Sequence, residues 1–326
     1  MIRTRTVAKV LPSLIRASAL GLRTTLPGLI ALTLPACTPA DSGSGSRSRT
    51  GADGAKVTEQ AEEMWAPGTF PVHIEDVTGK PLIFRSPPTK IVSLVPSATR
   101  TFQVLGAQNL LVGRTEHDTG TALGHLPSVG GGLHPSLETL VGLDPDLVVR
   151  FAGASDLSTP RRLDGLGIRH LAVRLDRIAD VRALIRDLGA LTGLPGRAGK
   201  LVTEMDSTLN EIRQRVEGRP LVRVAYVLGG NPPWVAGPGT FIDELLTAAG
   251  GENSFFDLKD LYGPVSPEEF LVRDIDLLLA PEGGEVLLPS TRVRLVRVSA
   301  ALELPGPDLA QMAWKLAEIL HPEAFQ

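Results

Sequence analysis

A short pattern that occurs twice constrains the fold of this chain more than any other feature. Residues 136–149 read SLETLVGLDPDLVV, and residues 266–279 read SPEEFLVRDIDLLL. Both copies follow Ser-x-Glu, five residues, Asp-x-Asp and three aliphatic residues. Each copy also follows a strand-like run, an irregular Pro-containing loop and a helix-like segment that ends in Gly. Two halves with the same order of elements predict two similar α/β lobes.

Strand and helix signals alternate through the first half. The run FPVHIEDVTGKPLIF predicts a β-hairpin with its turn at Thr78–Gly79. Strands are then predicted at residues 90–95, in LLVG, in DLVVRF and at residues 169–173, and PSATRTFQVLG predicts a helix that ends at Gly106. Strands that alternate with helices indicate parallel βαβ units.

Between the two halves, residues 197–217 predict one long helix. Pro195 and Gly196 precede this helix, and Gly218 and Pro220 follow it. Its length of roughly 30 Å at 1.5 Å per residue is enough to connect two lobes rigidly. The apolar side chains that repeat along one face are Leu201, Met205, Leu209, Ile212 and Val216.

The N-terminal residues 1–36 are predicted to be an export signal. An apolar stretch, LPGLIALTLPA, follows a basic region and is too short to span a membrane as a mature helix. The sole cysteine, Cys37, comes next in LPAC, which resembles the lipobox of bacterial lipoproteins although Pro35 departs from the usual residue. The alternative is an ordinary secretory signal followed by a free thiol. The basic residues are Arg3, Arg5, Lys9 and Arg16.

Residues 37–66 are interpreted as the lipidated cysteine and a flexible tether, because the stretch is small, polar and low in complexity. We therefore expect an N-terminal lobe at 67–195, a bracing helix at 196–218 and a C-terminal lobe at 219–326. The lipid would be the only contact with the membrane. A single cysteine excludes disulfides within the chain.

The composition excludes some classes of function. A net charge of −3 argues against nucleic acid or an anionic membrane surface as the main partner. GLPGRAGKL lacks the spacing and the hydroxyl residue of a phosphate-binding loop. No Gly-x-Ser-x-Gly elbow and no nucleophile–base arrangement occurs. We therefore expect no catalytic residues, and an exported hydrolase is the disfavoured alternative.

Two glutamates in the repeat occupy equivalent positions. Ser136 and Ser266 are good N-cap residues, and Glu269 is predicted to complete a capping box with Ser266. Glu138 and Glu268 would then point into solvent from helix N-termini. Each could simply complement a helix dipole. Their equivalent placement instead predicts a matched pair of acidic groups, one on the rim of each lobe.

An unusual tryptophan and a histidine are the candidate ligand contacts. Trp234 lies in the rigid stretch GGNPPWVAGPG, where it is predicted to face a ligand in a cleft between the lobes. The alternative is that Trp234 covers the core of the C-terminal lobe. His117 lies close in sequence to His125 and His134, but no zinc-like spacing is present and no metal site is expected. His117 could contact a ligand through its charge or through a metal that the ligand carries.

These segments together resemble the substrate-binding proteins of ABC importers for ferric siderophores, haem and cobalamin, the class III periplasmic binding proteins with a helical backbone. The resemblance covers residues 67–326 and is carried by FPVHIEDVTGKPL, IVSLVPSAT, VGGGLHPSLETLVGLDPDLVV, GGENSF and VSPEEFLVRDIDLLL. It implies a ligand-binding protein that is not an enzyme and needs no cofactor. It also implies that Glu138 and Glu268 dock on arginines of a permease homodimer.

Within that family, GNPPWVAG…GGEN and PVSPEE look most like the cobalamin-binding branch, which implies a cobalt corrinoid as the metal-chelate ligand. The branch has aromatic residues where this chain has His117 and Gly132, and residues 281–293 look trimmed. Haem held through His117, an anionic siderophore, or a surface sensor with the same fold therefore stay open. Four positions match cleft residues of the branch, Pro96, Phe151, Trp234 and Tyr262, and three arginines could meet a siderophore, Arg100, Arg114 and Arg150.

Overall fold

The computed structural model describes residues 70–153, 158–284, 286 and 292–326. The predicted export signal, Cys37 and the tether lie outside this part of the chain. Within it, no helix is long and apolar enough to cross a membrane. The strands are β1 Val72–Glu75, β2 Pro81–Phe84, β3 Ile91–Ser93, β4 Leu111–Gly113, β5 Leu147–Phe151, β6 His170–Val173, β7 Val222–Gly229, β8 Trp234–Ala236, β9 Gly251–Asn253, β10 Tyr262–Pro264, β11 Leu277–Pro281 and β12 Arg294–Val298.

Eight α-helices connect these strands in the described residues. The long helix α5 stands between the two halves, as the apolar periodicity predicts. The helices are α1 Pro96–Leu105, α2 Leu137–Leu143, α3 Thr159–Gly165, α4 Ile178–Leu191, α5 Pro195–Val216, α6 Phe241–Ala248, α7 Glu269–Val272 and α8 Leu309–Leu320.

The two lobes have the same strand order. The N-terminal sheet runs β4-β3-β5-β6, and every pair in it is parallel. In the C-terminal sheet β7 lies between β9 and β11, and β12 pairs with β11, again all in parallel. The order β9-β7-β11-β12 therefore reproduces the N-terminal order, so the sequence repeat reflects two similar βαβ lobes.

The Asp-x-Asp part of the repeat fastens the start of a strand in each lobe. The carboxylate of Asp146 accepts the N–H of Lys90, just before β3, at 3.2 Å. In the same way Asp276 accepts the backbone N–H of Arg223 in β7 at 2.9 Å. It also accepts two hydrogen bonds from the guanidinium of that residue. Hydrogen bonds from Arg223 lower the pKa of Asp276 to about 2. In each motif the first aspartate forms an ion pair with the basic residue whose N–H the second aspartate accepts. These pairs are Asp144 with Lys90 and Asp274 with Arg223.

Helix α5 packs against α4 of the N-terminal lobe and α8 of the C-terminal lobe. Its buried face is built from Ala198, Val202, Met205, Leu209, Ile212 and Val216, whereas Leu201 is only partly buried. One apolar core continues from the first lobe through this helix into the second. Two smaller cores lie on the outer faces of the two sheets.

The predicted cap at the start of the helix in each Ser-x-Glu repeat is present in the N-terminal lobe but not in the C-terminal lobe. In α2 the hydroxyl of Ser136 accepts the N–H of Thr139 at 3.3 Å, which is the predicted N-cap. In the shorter α7 the expected capping box is absent. Its carboxylate partner, Glu269, accepts a hydrogen bond from Arg273 at 2.7 Å instead of reaching back to Ser266. An arginine one turn along the helix offers a stronger, charged donor than a backbone N–H.

Two additions distinguish the lobes. The hairpin β1–β2 lies beside the edge of β6, where Asp76 accepts the N–H of Ala172 at 3.2 Å. The C-terminal sheet is extended by the short antiparallel strands β8 and β10. Trp234 therefore begins a strand, which corrects the expectation that it lies in an irregular loop.

Candidate functional site: a cleft between the lobes

The loops that leave the carboxyl ends of the parallel strands meet between the two lobes. The N–H of Phe241, at the start of α6, donates to the carbonyl oxygen of Asp176, which follows β6, at 2.5 Å. The N–H of Ile178 donates to the carboxylate of Glu244 at 2.7 Å. These contacts and α5 hold the lobes together on one side of the cleft.

An ion pair joins the lobes at a second place. The guanidinium of Arg100, in α1, donates to both carboxylate oxygens of Asp308, the residue before α8, at 2.6 and 3.1 Å. This arrangement uses Arg100 internally. It therefore differs from the expectation that Arg100 is available to an anionic ligand.

Next to this ion pair lies a cavity of about 340 Å³ with walls from both lobes. Two of the predicted ligand contacts, Pro96 and His117, line it on the N-terminal side. Ala301 and the exposed Leu304 line it on the C-terminal side. Its described lining also includes Arg100, one of the three candidate siderophore contacts, but not Phe151, Trp234 or Tyr262. A larger cavity, between β12 and α8, has walls from one lobe only and is not part of the cleft.

The histidines behave differently from one another. The side chain of His117 is exposed, and its Nε2 lies 3.8 Å from Glu116. His125 and His134 are exposed too, and neither lines the cavity. Across the described part of the chain, no group of three or more His, Cys, Asp or Glu residues could hold a metal ion. Only His117 of the three is thus placed to meet a ligand in the cleft.

Trp234 and Tyr262 lie on the same face of the strand pair formed by β8 and β10. Trp234 is opposite Pro264, and Tyr262 is opposite Ala236, so the four side chains share one face of the strand pair. The indole lies against Gly230 and is 40% exposed, whereas Tyr262 is half-buried. This face presents an aromatic surface whose outer end is open.

Two carboxylates, one from each lobe, lie near Tyr262. Burial raises the pKa of Asp176, which follows β6, and burial likewise raises the pKa of Glu303, which follows β12. The hydroxyl of Tyr226 is 3.4 Å from Glu303. Burial raises the pKa of Tyr262 as well, and the two carboxylates raise it further. The surroundings of Tyr262 are thus acidic and partly buried.

Phe151 and two of the three candidate arginines have largely structural surroundings. Phe151, at the end of β5, packs against the core shared by the lobes. Arg150 is buried and donates to His170 at 3.1 Å, and Arg114 donates to the carbonyl oxygen of Leu123 at 3.1 Å. Acceptors of the chain itself already engage both guanidinium groups, so the structure offers no support for the prediction that Arg114 or Arg150 binds an anionic siderophore.

Packing explains the glycine at position 132, where the cobalamin branch has an aromatic residue. A Cβ atom added to Gly132 would overlap the carbonyl oxygen of Leu94, the residue directly after β3. The neighbouring Gly131 would meet only the end of the Glu116 side chain, at 3.5 Å. Position 132 therefore cannot carry any side chain in this backbone arrangement.

The two glutamates of the repeat are both exposed at the start of α2 and α7. Among the described residues Glu138 forms no hydrogen bond or ion pair, and Glu268 accepts one hydrogen bond from Ser266. Both carboxylates face solvent and are available to a partner.

The residues that sequence reasoning missed all lie in loops of the cleft. Asp308, Leu304 and Glu303 belong to the segment SAALELPGPD that follows β12. A Pro- and Gly-rich loop after a strand is the same signal that singled out the Trp234 segment. It could have been applied here, because loops at the carboxyl ends of parallel strands form the binding crevice of α/β sheets.

Two α/β lobes, a connecting helix and a cavity with walls from both lobes are the architecture of a solute-binding protein. A sequence profile described as "Periplasmic binding protein" matches residues 91–285. The chain belongs to this periplasmic binding protein family.

Individual relatives carry related descriptions. The chain is 32% identical over 284 residues to a cobalamin-binding protein of Halobacterium salinarum, covering 78% of this chain and 75% of the relative. It is 24% identical to an uncharacterized ABC transporter substrate-binding lipoprotein of Bacillus subtilis, covering 79% and 88%. The fold is similar to the apo periplasmic heme-binding protein of Roseiflexus sp. RS-1, with a TM-score of 0.63 and 23% identity over 73% of this chain and 99% of that one.

Proposed function

We propose that this protein captures a cobalt corrinoid in the inter-lobe cleft and delivers it to an ABC importer. The observation that supports the proposal is the partly exposed aromatic face that Trp234 and Tyr262 share, in a chain 32% identical to a cobalamin-binding protein. Rigid aromatic side chains give a broad macrocycle a large contact area at low cost in conformational entropy.

The charges of the cleft favour this ligand class over anionic chelates. Asp176 and Glu303, one from each lobe, bring partly buried negative charge close to Tyr262, where repulsion of an anion is weakly screened. Arg100 and Arg114 are engaged by acceptors of the chain itself. Corrinoids carry peripheral amides, whose N–H groups can donate to these carboxylates. A siderophore or haem carboxylate would instead meet like charge.

Delivery requires contact with a membrane partner, and the two exposed glutamates suit it. Glu138 and Glu268 occupy equivalent places on two similar lobes, so two identical basic sites of a permease homodimer can receive them. We further propose that the protein is exported and that Cys37 carries the lipid anchor, in keeping with the lipoprotein description of the Bacillus subtilis relative. The role is capture and release, with no catalysis and no resident cofactor.

The test is calorimetric titration of the protein with cyanocobalamin, cobinamide, haemin and a ferric siderophore. Trp234→Ala should weaken corrinoid binding at least tenfold. The control is Trp314→Phe, because Trp314 lies in α8, away from the cleft, and packs against Phe325. Equal corrinoid affinity of wild type and Trp234→Ala would remove Trp234 from the site. Absence of corrinoid binding would overturn the ligand class.

Haem is the second candidate, because the exposed His117 lines the inter-lobe cavity, where its imidazole could ligate a haem iron. In that case haemin would bind with a shifted Soret band, and His117→Ala would abolish the shift while Trp314→Phe would not. A Soret shift that persists in His117→Ala, or haemin that does not bind the wild type, would exclude this role.

A further inference from the structure

A turn at residues 115–118 holds His117 at the wall of the inter-lobe cavity. The buried carboxylate of Asp118 accepts the backbone N–H of Thr115 at 2.9 Å and the Thr115 hydroxyl at 2.7 Å. That hydroxyl in turn accepts the backbone N–H of His117 at 3.2 Å. The guanidinium of Arg114 donates to the carbonyl oxygens of Thr115 and Asp118 at 2.9 and 3.3 Å. The backbone of the turn is therefore fixed, and the imidazole stands exposed on it.

One of the two ring nitrogens of His117 has a carboxylate close by. Its Nε2 lies 3.8 Å from Oε1 of Glu116, and both side chains are exposed. This distance is longer than a hydrogen bond, and a small rotation of either side chain closes it. A histidine that ligates a metal usually donates its other ring N–H to a carboxylate, a carbonyl oxygen or water, which fixes the tautomer. With Nε2–H held by Glu116, the lone pair of Nδ1 is presented to a metal.

The described lining of the cavity contains no second imidazole, no thiolate and no free carboxylate. The two aspartates that line it, Asp118 and Asp308, accept hydrogen bonds from within the chain. The C-terminal side carries the apolar Ala301 and Leu304. A bare metal ion would therefore find one strong ligand here, which is too few to hold it. A metal that brings its other ligands with it needs only one.

A cobalt corrinoid is a metal chelate of this kind. The corrin ring supplies the equatorial nitrogens, and in a cobalamin the nucleotide base fills one axial position. Only the other axial position can accept a ligand from the protein. Imidazole nitrogen is a good ligand for late first-row transition metals, so one histidine is enough to fill it.

We propose, resting on the corrinoid capture proposed above, that His117 ligates the cobalt of the bound corrinoid and thereby selects cargo with an exchangeable axial ligand. In aquocobalamin that ligand is water. The imidazole nitrogen donates its electron pair to Co(III) as the Co–O bond breaks and water leaves, so cobalt keeps its oxidation state. In cyanocobalamin the tightly bound cyanide keeps the position closed. An aromatic residue, which the cobalamin-binding branch has at this place, could stack on a corrinoid but not ligate it.

Aquocobalamin and cyanocobalamin differ only in this axial ligand, so they form a matched pair of probes. Titration of the full chain at pH 7, followed by absorption, should shift the spectrum of bound aquocobalamin toward that of its imidazole complex and leave that of bound cyanocobalamin unchanged. Aquocobalamin should also bind about tenfold more tightly, because the pre-positioned imidazole adds one coordinate bond. Equal affinities without a spectral shift would overturn the proposal and leave corrinoid capture intact.

His117→Ala should abolish the spectral shift and bring the two affinities within about twofold of each other. The matched control is His125→Ala, because His125 is also exposed in this region but does not line the cavity. Both variants should bind cyanocobalamin within about twofold of wild type, which separates a loss of ligation from a loss of folding. A shift that survives His117→Ala would overturn the assignment.

Electron paramagnetic resonance tests the bond without a variant. Cob(II)inamide lacks the nucleotide base, so in an amine-free buffer any nitrogen splitting in its spectrum comes from the protein. The bound form should show a nitrogen triplet that becomes a doublet when the protein carries ¹⁵N-labelled histidine. Absence of splitting would overturn the ligation. If neither the cobalamins nor cobinamide binds, the corrinoid proposal itself fails, and this one with it.

Discussion

Arg100 and Asp308 link the two lobes through two parallel hydrogen bonds of 2.6 and 3.1 Å. The pair stands at the wall of the cleft cavity and involves α1 and the start of α8. Among the described residues, this is the only ion pair between α1 and the start of α8. A ligand in the cavity would lie beside it. The pair is therefore placed to influence how readily the cleft opens.

Arg100→Gln should speed ligand dissociation by up to about fivefold and leave the association rate within about twofold. The side chains are 52% and 42% exposed, so the pair contributes at most about 1 kcal/mol, which corresponds to that factor. Stopped-flow displacement measures both rates. Lys90→Gln, which removes an exposed ion pair within one lobe, is the control. An unchanged dissociation rate would show that the pair does not restrain the cleft.

Glu138→Ala and Glu268→Ala should lower uptake by cells without a change in ligand affinity, because both carboxylates are exposed and neither lines the inter-lobe cavity. We expect the double variant to lose more than either single variant. Radiolabelled uptake and calorimetry measure the two quantities. Glu204→Ala, an exposed glutamate on α5, should change neither. A loss of ligand affinity in the glutamate variants would place these residues in the cleft instead.

Gly132→Ala should destabilise the protein by about 1–3 kcal/mol, because the added methyl group overlaps the Leu94 carbonyl and the backbone must shift. Gly131→Ala is the matched control and should be nearly neutral, since its Cβ has room. Urea denaturation followed by circular dichroism measures the difference. Equal stability of the two variants would mean that the backbone near Leu94 adapts at little cost.

Asp187→Asn should stabilise the protein at pH 7 by an amount on the order of 1–3 kcal/mol. Burial in α4 raises the pKa of Asp187 to about 6 from its ordinary 3.8. The folded state therefore binds the proton more tightly, and the wild type loses stability as the pH rises from about 4 to about 6. The advantage of the variant should disappear near pH 4. Urea denaturation between pH 4 and 7.5 measures this, with the exposed Asp260→Asn as control. A gain that does not depend on pH would contradict the assigned cause.

Periodicity and repetition predicted the lobes, the parallel strands and α5 because these features depend on local pattern. The site could be predicted only in part. Pro96 and His117 share a cavity, but Trp234 and Tyr262 come to share a face through an antiparallel pairing of three-residue strands that no local signal marks. The Arg100–Asp308 pair joins residues far apart in the chain, so its formation depends on the final packing of the lobes.

The core that runs through α5 into both lobes has a consequence for how the molecule comes apart. Because the two halves share apolar contacts along the whole helix, neither can lose its packing without exposing the other's. Heat or denaturant should therefore melt both halves in one cooperative transition. Despite their common plan the halves are not autonomous modules, and a chimera that exchanges one of them must also inherit the matching face of α5.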